Sequence, residues 1–327
     1  MHKIIKTVAA LSALLVLAAG CTKGDAAKEN GAAATGKLET LRYATSIANL
    51  PITFGIKKGF FAEQGLDVKV VTVSGGVEAV TAAAAGEADM GGMGSPIITG
   101  AAVGVPITIV ASPPAAGQHF ILLSRPGYRS LADLKGKPIS PGGAGQGTIQ
   151  AFNVIAKAKG YKLSDFQYVN AGSSTNALAA LQAGKVEAVI TSEVIGVKAE
   201  LDGFGKVLEQ AAEYFGRYQH TFIFATKKYI KDKPEKIRSF LAAYRKTVDY
   251  IKAHPEEAIQ FGIIDLQQDA RAYRAVQAKE IATWDTSGRV DIEGTDNAIK
   301  ILKDLGEIGP NVQITAKQIV DEQFLPK

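Results

Sequence analysis

A repeated unit of helix, glycine and strand most constrains how this chain can fold. One copy occupies 74–95 with the sequence SGGVEAVTAAAAGEADMGGMGS, and the other occupies 172–193 with GSSTNALAALQAGKVEAVITSE. The copies align at Gly86 and Gly184, 98 positions apart, and the neighbouring apolar positions also match. Each copy predicts a short helix, a glycine that ends it and a buried strand. Two such units favour two similar α/β lobes, although unrelated α/β domains also contain units of this kind.

Both copies also place small residues where an α/β sheet binds its ligands. Glycine or serine begins each predicted helix and leaves the first backbone N–H groups open to a ligand. Small polar residues follow each predicted strand, and the carboxyl ends of strands border the crevice of an open α/β sheet. We therefore predict that each lobe contributes loops to one shared cleft.

Residues 1–20 have the pattern of a signal peptide. Lys3 and Lys6 precede an apolar run, 8–19, that is too short to span a bilayer as a stable helix. The run ends in LAAGC, which resembles a bacterial lipobox, whose cysteine receives lipid and becomes the mature N-terminus. Cys21 is the only cysteine of the chain, so internal disulfides are excluded. The alternative is an ordinary secretory signal followed by an unrelated cysteine.

The next segment, 21–36, is small and polar without apolar periodicity, which predicts a flexible tether. The full chain of 327 residues has a net charge of +5, and loss of Lys3 and Lys6 with the signal leaves 5 − 2 = +3. This charge is mild and evenly spread, so we predict no nucleic-acid partner. The length suits one large or two medium domains.

Strands alternate with helices along most of the remaining chain, which predicts mainly parallel sheets with covered faces. The predicted strands are 38–43, 68–73, 107–111, 120–124, 168–170, 187–191 and 222–226. From residue 232 the pattern becomes helical, with helices predicted at 256–262, 270–283, 296–305 and 315–322.

Two breaks in this pattern predict where the chain passes between the lobes. One is the proline-rich segment 112–119, and the other leads into the apolar strand at 222–226. We therefore assign 37–117 together with 224–327 to the first lobe. The second lobe comprises 118–223.

Three segments resemble one protein family. Residues 50–68 read LPITFGIKKGFFAEQGLDV, similar to an LP…A…KGFF…GLDV opening, and 75–91 and 131–148 are similar to the next two signatures. The family is that of the nitrate/sulfonate/taurine-type periplasmic substrate-binding proteins of ABC importers, which are relatives of the thiamine-pyrimidine binding proteins. The resemblance covers most of 38–193.

The resemblance implies a two-lobed, Venus-flytrap fold of the type II periplasmic binding proteins. Each lobe would be a mainly parallel sheet flanked by helices. It also implies capture of a small polar or anionic organic solute, such as a sulfonate, taurine or nitrate, and its delivery to an ABC importer permease. The protein would be a monomer without cofactor or metal, outside the cytoplasm and anchored to a bacterial membrane by lipid on Cys21.

Three alternatives remain at this point. The ligand could be a thiamine-pyrimidine precursor or another aromatic solute, or the protein could be a ligand-sensing lipoprotein or an enzyme on the same fold. We predict that it is not an enzyme, because the sequence has no Gly-x-Ser-x-Gly elbow and no cysteine besides Cys21. His119, His220 and His254 also lack metal-ligand spacing.

One departure from the family concerns the ligand. Family members often have an aromatic residue, an acid and a proline where this chain has Ser192, Glu193 and Val194. The missing aromatic residue argues against a flat, stacked ligand. Glu193 could bind a ligand amine, or it could cap the next helix or pair with Lys198.

The predicted ligand contacts are the residues at strand ends and helix starts. In the first lobe they are Ser46, Asn49, Ser74, Gly75, Gly76, Met93, Gly94 and Ser95. In the second lobe they are Gln146, Gly147, Thr148, Ser173, Ser174 and Glu193. None of these loops contains an arginine. His220 and Trp284 are each compatible with a structural role or with a contact at the cleft.

Overall fold

The computed structural model describes residues 37–46, 48–115, 117, 119–142, 146–172 and 174–327. The predicted signal peptide, the tether, Cys21 and Ser173 lie outside the described residues. The strands are β1 (Glu39–Thr45), β2 (Leu66–Thr72), β3 (Met90–Met93), β4 (Ile107–Ala111), β5 (Phe120–Ser124), β6 (Pro138–Ser140), β7 (Gln167–Tyr168), β8 (Ala188–Ser192), β9 (Lys206–Gln210) and β10 (Phe222–Thr226).

The helices before the second crossing are α1 (Leu50–Lys57), α2 (Phe60–Glu63), α3 (Gly76–Ala84), α4 (Pro96–Ala102), α5 (Gly147–Ala158), α6 (Ser174–Gln182), α7 (Glu193–Leu201) and α8 (Ala212–Phe215). Those after it are α9 (Lys227–Asp232), α10 (Pro234–Ala253), α11 (Pro255–Ile264), α12 (Ala270–Thr283), α13 (Ile292–Asp304) and α14 (Ala316–Ile319). Within the described ranges, none of these helices has the length and apolar character to cross a membrane.

The strands form two five-stranded sheets with the same layout. The first has the order β2-β1-β3-β10-β4, and the second has the order β7-β6-β8-β5-β9. In each sheet one strand is antiparallel to its neighbours, β10 in the first and β5 in the second. Each of these is the strand by which the chain enters from the other lobe. The predicted two-lobed α/β fold with mainly parallel sheets is therefore confirmed.

The repeated sequence unit corresponds to a repeated structural unit. The bounds of α3 and α6 differ by the same 98 positions as Gly86 and Gly184. Both glycines adopt the left-handed conformation, with φ of 74° and 70°, which ends each helix at little steric cost. The acidic residue three positions later pairs with an arginine in each lobe, as Arg42–Asp89 and Arg125–Glu187.

Both faces of each sheet are buried. Tyr43 and Ile223 pack into one core of the first lobe, whereas Ala44 and Phe224 pack into the core on the opposite face. Two smaller cores cover the faces of the second sheet in the same manner. This arrangement fits the near-continuous apolar character of the central strands.

Most predicted elements are present, with shifts at their ends. The strands at 107–111, 120–124 and 222–226 and helix α12 agree with the prediction. Helix α13 begins four residues earlier than predicted, because the Asp291 side chain accepts a hydrogen bond from Gly294 N at 3.1 Å and caps it there. Strands β6 and β9 were not predicted, since one is very short and the other is only partly buried.

The two crossing segments between the lobes are hydrogen-bonded to each other. Buried Gln219 in the second crossing donates from Nε2 to Ser112 Oγ in the first at 2.9 Å, and Thr221 Oγ1 donates to Ala115 O at 3.2 Å. The first sheet includes Phe222 and Ile223, two residues ahead of the return predicted at 224. The detailed division into 37–117 plus 224–327 and 118–223 stays a prediction.

Candidate ligand-binding cleft

A cavity of about 460 Å³ lies between the two lobes. The first lobe lines it with the β1–α1 turn, the end of β3 and one face of α12. The second lobe lines it with Phe120 and the β8–α7 junction, and both crossing segments border it. The strand ends of both sheets thus meet at one crevice, as expected for open α/β sheets. The volume suits a small organic solute.

Five predicted contacts line this cavity: Ser46, Asn49, Met93, Gly94 and Glu193. Asn49 is also a structural residue, because its Oδ1 accepts from Ile52 N at 3.2 Å and caps α1. Its Nδ2 donates to Thr45 Oγ1 at 3.0 Å. The Asn49 amide is therefore held in place by hydrogen bonds within its own lobe, and the residue borders the cavity.

The predicted contacts at the start of α3 are engaged within their own lobe. Ser74 N donates to the Glu78 carboxylate at 2.7 Å, so a side chain of the same helix occupies the position expected for a ligand anion. A Cβ on Gly76 would lie 2.9 Å from Pro96, so a substitution there would disturb helix packing directly. Ser74, Gly75 and Gly76 do not line the cavity.

Ser95 belongs to a buried hydrogen-bond chain that links the lobes. Its hydroxyl donates to Gln150 Oε1 on α5, and Gln150 Nε2 donates to Glu307 Oε2 at 2.6 Å. Burial raises the pKa of the Glu307 carboxyl. Ser95 thus contacts the opposite lobe directly instead of facing the cavity. Gln146, Gly147, Thr148 and Ser174 likewise lie outside the cavity lining, and ligand contact by these residues stays a prediction.

His220 lies on the cavity wall between the lobes. A Cβ on Gly94 would come within 2.9 Å of its imidazole, and one on Gly147 within 3.0 Å, so both glycines leave room for the ring. Phe120 packs against the ring edge-on, at 5.4 Å between centroids. Burial lowers the pKa of His220 to about 4, with a smaller effect from His119. The imidazole is therefore neutral near pH 7.

Two residues that line the cavity each carry a buried ring nitrogen with no hydrogen-bond partner within the described residues. The nitrogens are His220 Nδ1 and Trp284 Nε1. Both side chains are more than nine-tenths buried, so an unpaired nitrogen at either position is costly unless a ligand satisfies it. Trp284 also packs into the core of the first lobe, so it serves both roles that the sequence suggested.

An aromatic wall of six residues lines part of the cavity, and among them the sequence suggested a cleft contact only for Trp284. They are Tyr43, Phe120, Phe222, Tyr244, Tyr273 and Trp284. They come from strands β1, β5 and β10, from helices α10 and α12, and from the residue that follows α12. The aromatic residue missing at Ser192 is thus replaced by several from distant parts of the chain, and no local motif marks them.

The lining contains two carboxylates and two imidazoles. Glu193 and Glu280 contribute carboxylates, and His119 and His220 contribute imidazoles. Within the described part of the chain, the lining includes no lysine and no arginine. No cluster of histidine, aspartate or glutamate suited to a metal ion occurs among the described residues either.

Comparison with known proteins gives both fold and family. The structure resembles that of the alkanesulfonate-binding protein SsuA from Xanthomonas axonopodis pv. citri bound to MOPS, with a TM-score of 0.73 and 17% identity over 88% of this chain and 99% of that one. The chain is 23% identical over 244 residues to a binding protein of Brucella abortus, covering 72% of this chain and 75% of the relative.

A second relative is an enzyme. It is a 4-amino-5-hydroxymethyl-2-methylpyrimidine phosphate synthase of Saccharomyces cerevisiae, 30% identical over 230 residues, with 64% of this chain and 65% of the synthase covered. The family model described as NMT1/THI5 like matches residues 47–258, which is more than half of the chain. The chain therefore belongs to the NMT1/THI5-like family.

Proposed function

We propose that this protein is the extracytoplasmic solute-binding component of an ABC importer. The observation that carries the proposal is the cleft, which both lobes line and which His220 and Trp284 border with buried ring nitrogens, Nδ1 and Nε1, that have no hydrogen-bond partner among the described residues. A bound solute can supply those hydrogen bonds. Structural similarity to a sulfonate-binding protein that holds MOPS supports binding and release of an intact solute as the activity.

Ligand capture would couple to closure of the lobes. A solute that contacts both Met93 in the first lobe and Glu193 in the second stabilises the closed arrangement relative to the open one. The two crossing segments are the natural hinge, because the chain passes from one lobe to the other through them in the part that the structure describes. The hydrogen bond from Gln219 to Ser112 joins the two segments, so they would bend as one unit. The closed form would then dock on the permease.

The aromatic wall favours a ring-bearing solute over a small alkanesulfonate, taurine or nitrate. Flat rings gain contact area against aromatic side chains that a small inorganic or aliphatic anion does not. A ring-bearing solute is thus a second candidate for the ligand, and it agrees with a relative that is named as a pyrimidine phosphate synthase. Catalysis by this chain is less well supported than binding, because the described residues of the cleft offer no cysteine, serine–histidine pair or metal cluster.

The ligand screen that tests this function uses the mature protein and four solute classes: sulfonates, nitrate, pyrimidines and aromatic acids. At a hundredfold excess over its dissociation constant, a true ligand stabilises the fold by about 2.7 kcal/mol, which raises the melting temperature by several degrees. The solute should be recovered unchanged by mass spectrometry, and cells lacking the protein should lose its uptake. Chemical conversion of the solute would establish the enzyme alternative instead.

We also propose that lipid on Cys21 holds the protein at the membrane. The lipobox pattern supports this, and stable anchoring needs more than one acyl chain. Cys21→Ala is expected to move the protein from the membrane fraction to the soluble fraction, while Thr22→Ala leaves it membrane-bound. Fractionation after a high-salt wash measures this, and a Cys21→Ala protein that stays with the membrane would exclude the anchor.

A further inference from the structure

We infer that the cleft selects a ring-bearing solute with a positively charged nitrogen, held between Glu193 and Glu280, and rejects anions. This inference rests on the proposed solute-binding function and specifies the ligand class. It departs from the anionic ligand that the sequence suggested. There are three reasons. The carboxylates of Glu193 and Glu280 give the lining a negative charge, and they lie on opposite lobes. The Glu193 carboxylate also has no hydrogen bond or ion pair among the described residues.

Glu193 is available to a ligand. It is the first residue of α7, half-buried, and its carboxylate has no hydrogen bond or ion pair within the described residues. Lys198, the partner that the sequence suggested, bonds instead to Asp202 one turn further on. The start of a helix favours a negative charge, so a carboxylate is well placed there.

Glu280 is the corresponding carboxylate of the first lobe. It lies on α12, is half-buried, and accepts one hydrogen bond from the buried amide of Gln277 at 2.6 Å. A carboxylate has capacity for several such bonds, so Glu280 retains acceptor sites for a ligand. Gln277 also lines the cavity and fixes the orientation of Glu280.

The two carboxylates face one cavity from opposite lobes. Helices α7 and α12 pack against each other, and Arg271 on α12 bonds to Asp202 at the end of α7 at 2.5 Å. Glu193 and Glu280 therefore border the same partly dehydrated space in this arrangement of the lobes. Like charges repel more strongly there than in water, and a cation between them reverses the sign of the interaction.

Nothing else in the described lining supplies a positive charge to offset the carboxylates. Lysine and arginine are absent from it, and the buried His220 imidazole is neutral near pH 7. His119 is the remaining imidazole, and it is exposed. An anion would thus enter a negative site without a counter-charge, whereas a cation would also gain from the aromatic faces.

The acidic pair alone would not define a site. The same cavity is also lined by His220 and Trp284, whose buried Nδ1 and Nε1 have no partner in the part of the chain that the structure describes, and these nitrogens point independently to a ligand with hydrogen-bonding groups. A solute with a cationic nitrogen and a neighbouring acceptor would satisfy both the carboxylates and the Trp284 N–H. The cavity thus offers carboxylates for a positive charge, ring nitrogens for hydrogen bonds and aromatic side chains for contact with a ring.

The test compares benzylammonium, benzyl alcohol and benzenesulfonate, which share a ring and differ in charge. Calorimetry on the full-length protein should show benzylammonium binding at least tenfold more tightly than benzenesulfonate. Glu193→Gln and Glu280→Gln should each reduce benzylammonium affinity at least tenfold. Glu213→Gln, an exposed change on α8 outside the cleft, should leave it unchanged. Equal or tighter binding of the sulfonate would overturn the inference while leaving the solute-binding function intact.

A second measurement does not depend on the choice of probe. Removing both cleft charges should relieve their repulsion, so the ligand-free Glu193→Gln/Glu280→Gln protein should be more closed than the wild type. X-ray scattering should then report a smaller radius of gyration, and Glu213→Gln should give the wild-type value. An unchanged radius in the double variant would contradict the inference. If no solute of any charge binds in the wider screen, the solute-binding function itself fails.

Discussion

Phe240→Ala is expected to lower the free energy of unfolding by about 3–5 kcal/mol, the usual cost of removing a fully buried aromatic side chain. The Phe240 ring is completely buried on α10. It stacks on Tyr43 at 5.0 Å between centroids and lies 5.2 Å from Phe61. The change would therefore loosen the contact between α10 and the first sheet.

The same substitution should also weaken ligand binding, because Tyr43 and Tyr244 line the cleft and both contact the Phe240 ring. Urea denaturation measures the stability, and calorimetry measures binding under conditions where the variant is folded. Ile264→Ala, at a residue that is 70% exposed, serves as the control and should change stability by no more than about 0.5 kcal/mol. A loss below about 1 kcal/mol for Phe240→Ala would contradict this account of the core.

Gly94→Val should reduce ligand affinity at least a hundredfold, or about 2.7 kcal/mol. A Cβ at this position would lie 2.9 Å from the His220 imidazole. The ring has little room to move away, because Phe120 and Gly147 adjoin it on the side of the second lobe. The new side chain would therefore displace His220 or occupy the space of the solute.

Gly75→Val is a matched control that also tests the site predicted from sequence. A Cβ on Gly75 meets no atom within 4 Å, its backbone is extended, and it lies outside the cavity. Calorimetry with the identified solute should show Gly75→Val binding like the wild type. If Gly75→Val abolishes binding and Gly94→Val does not, the ligand binds at the start of α3, as the sequence suggested, and this cleft is not the site.

The sequence by itself determined the fold class and the pairing of the two lobes. Apolar periodicity, helix caps and the glycines that end helices act over a few residues, so they can be recognised without the tertiary structure. Gly86 and Gly184 illustrate this, because a left-handed glycine is required at the same place in each lobe. The place of Met93, Gly94 and Glu193 in the cavity lining followed from the same rule, that strand ends border the crevice.

Only the tertiary structure decided the chemistry of the cleft. Tyr273 and Glu280 lie on α12 and Trp284 directly follows it, far along the chain from the first two β–α turns, and no local motif relates them to Glu193. The backbone N–H of Ser74, a predicted ligand contact, donates instead to the Glu78 carboxylate, which only side-chain positions reveal. The fold follows from short-range patterns, whereas the charge of the cleft follows from long-range packing that brings carboxylates of both lobes to one cavity.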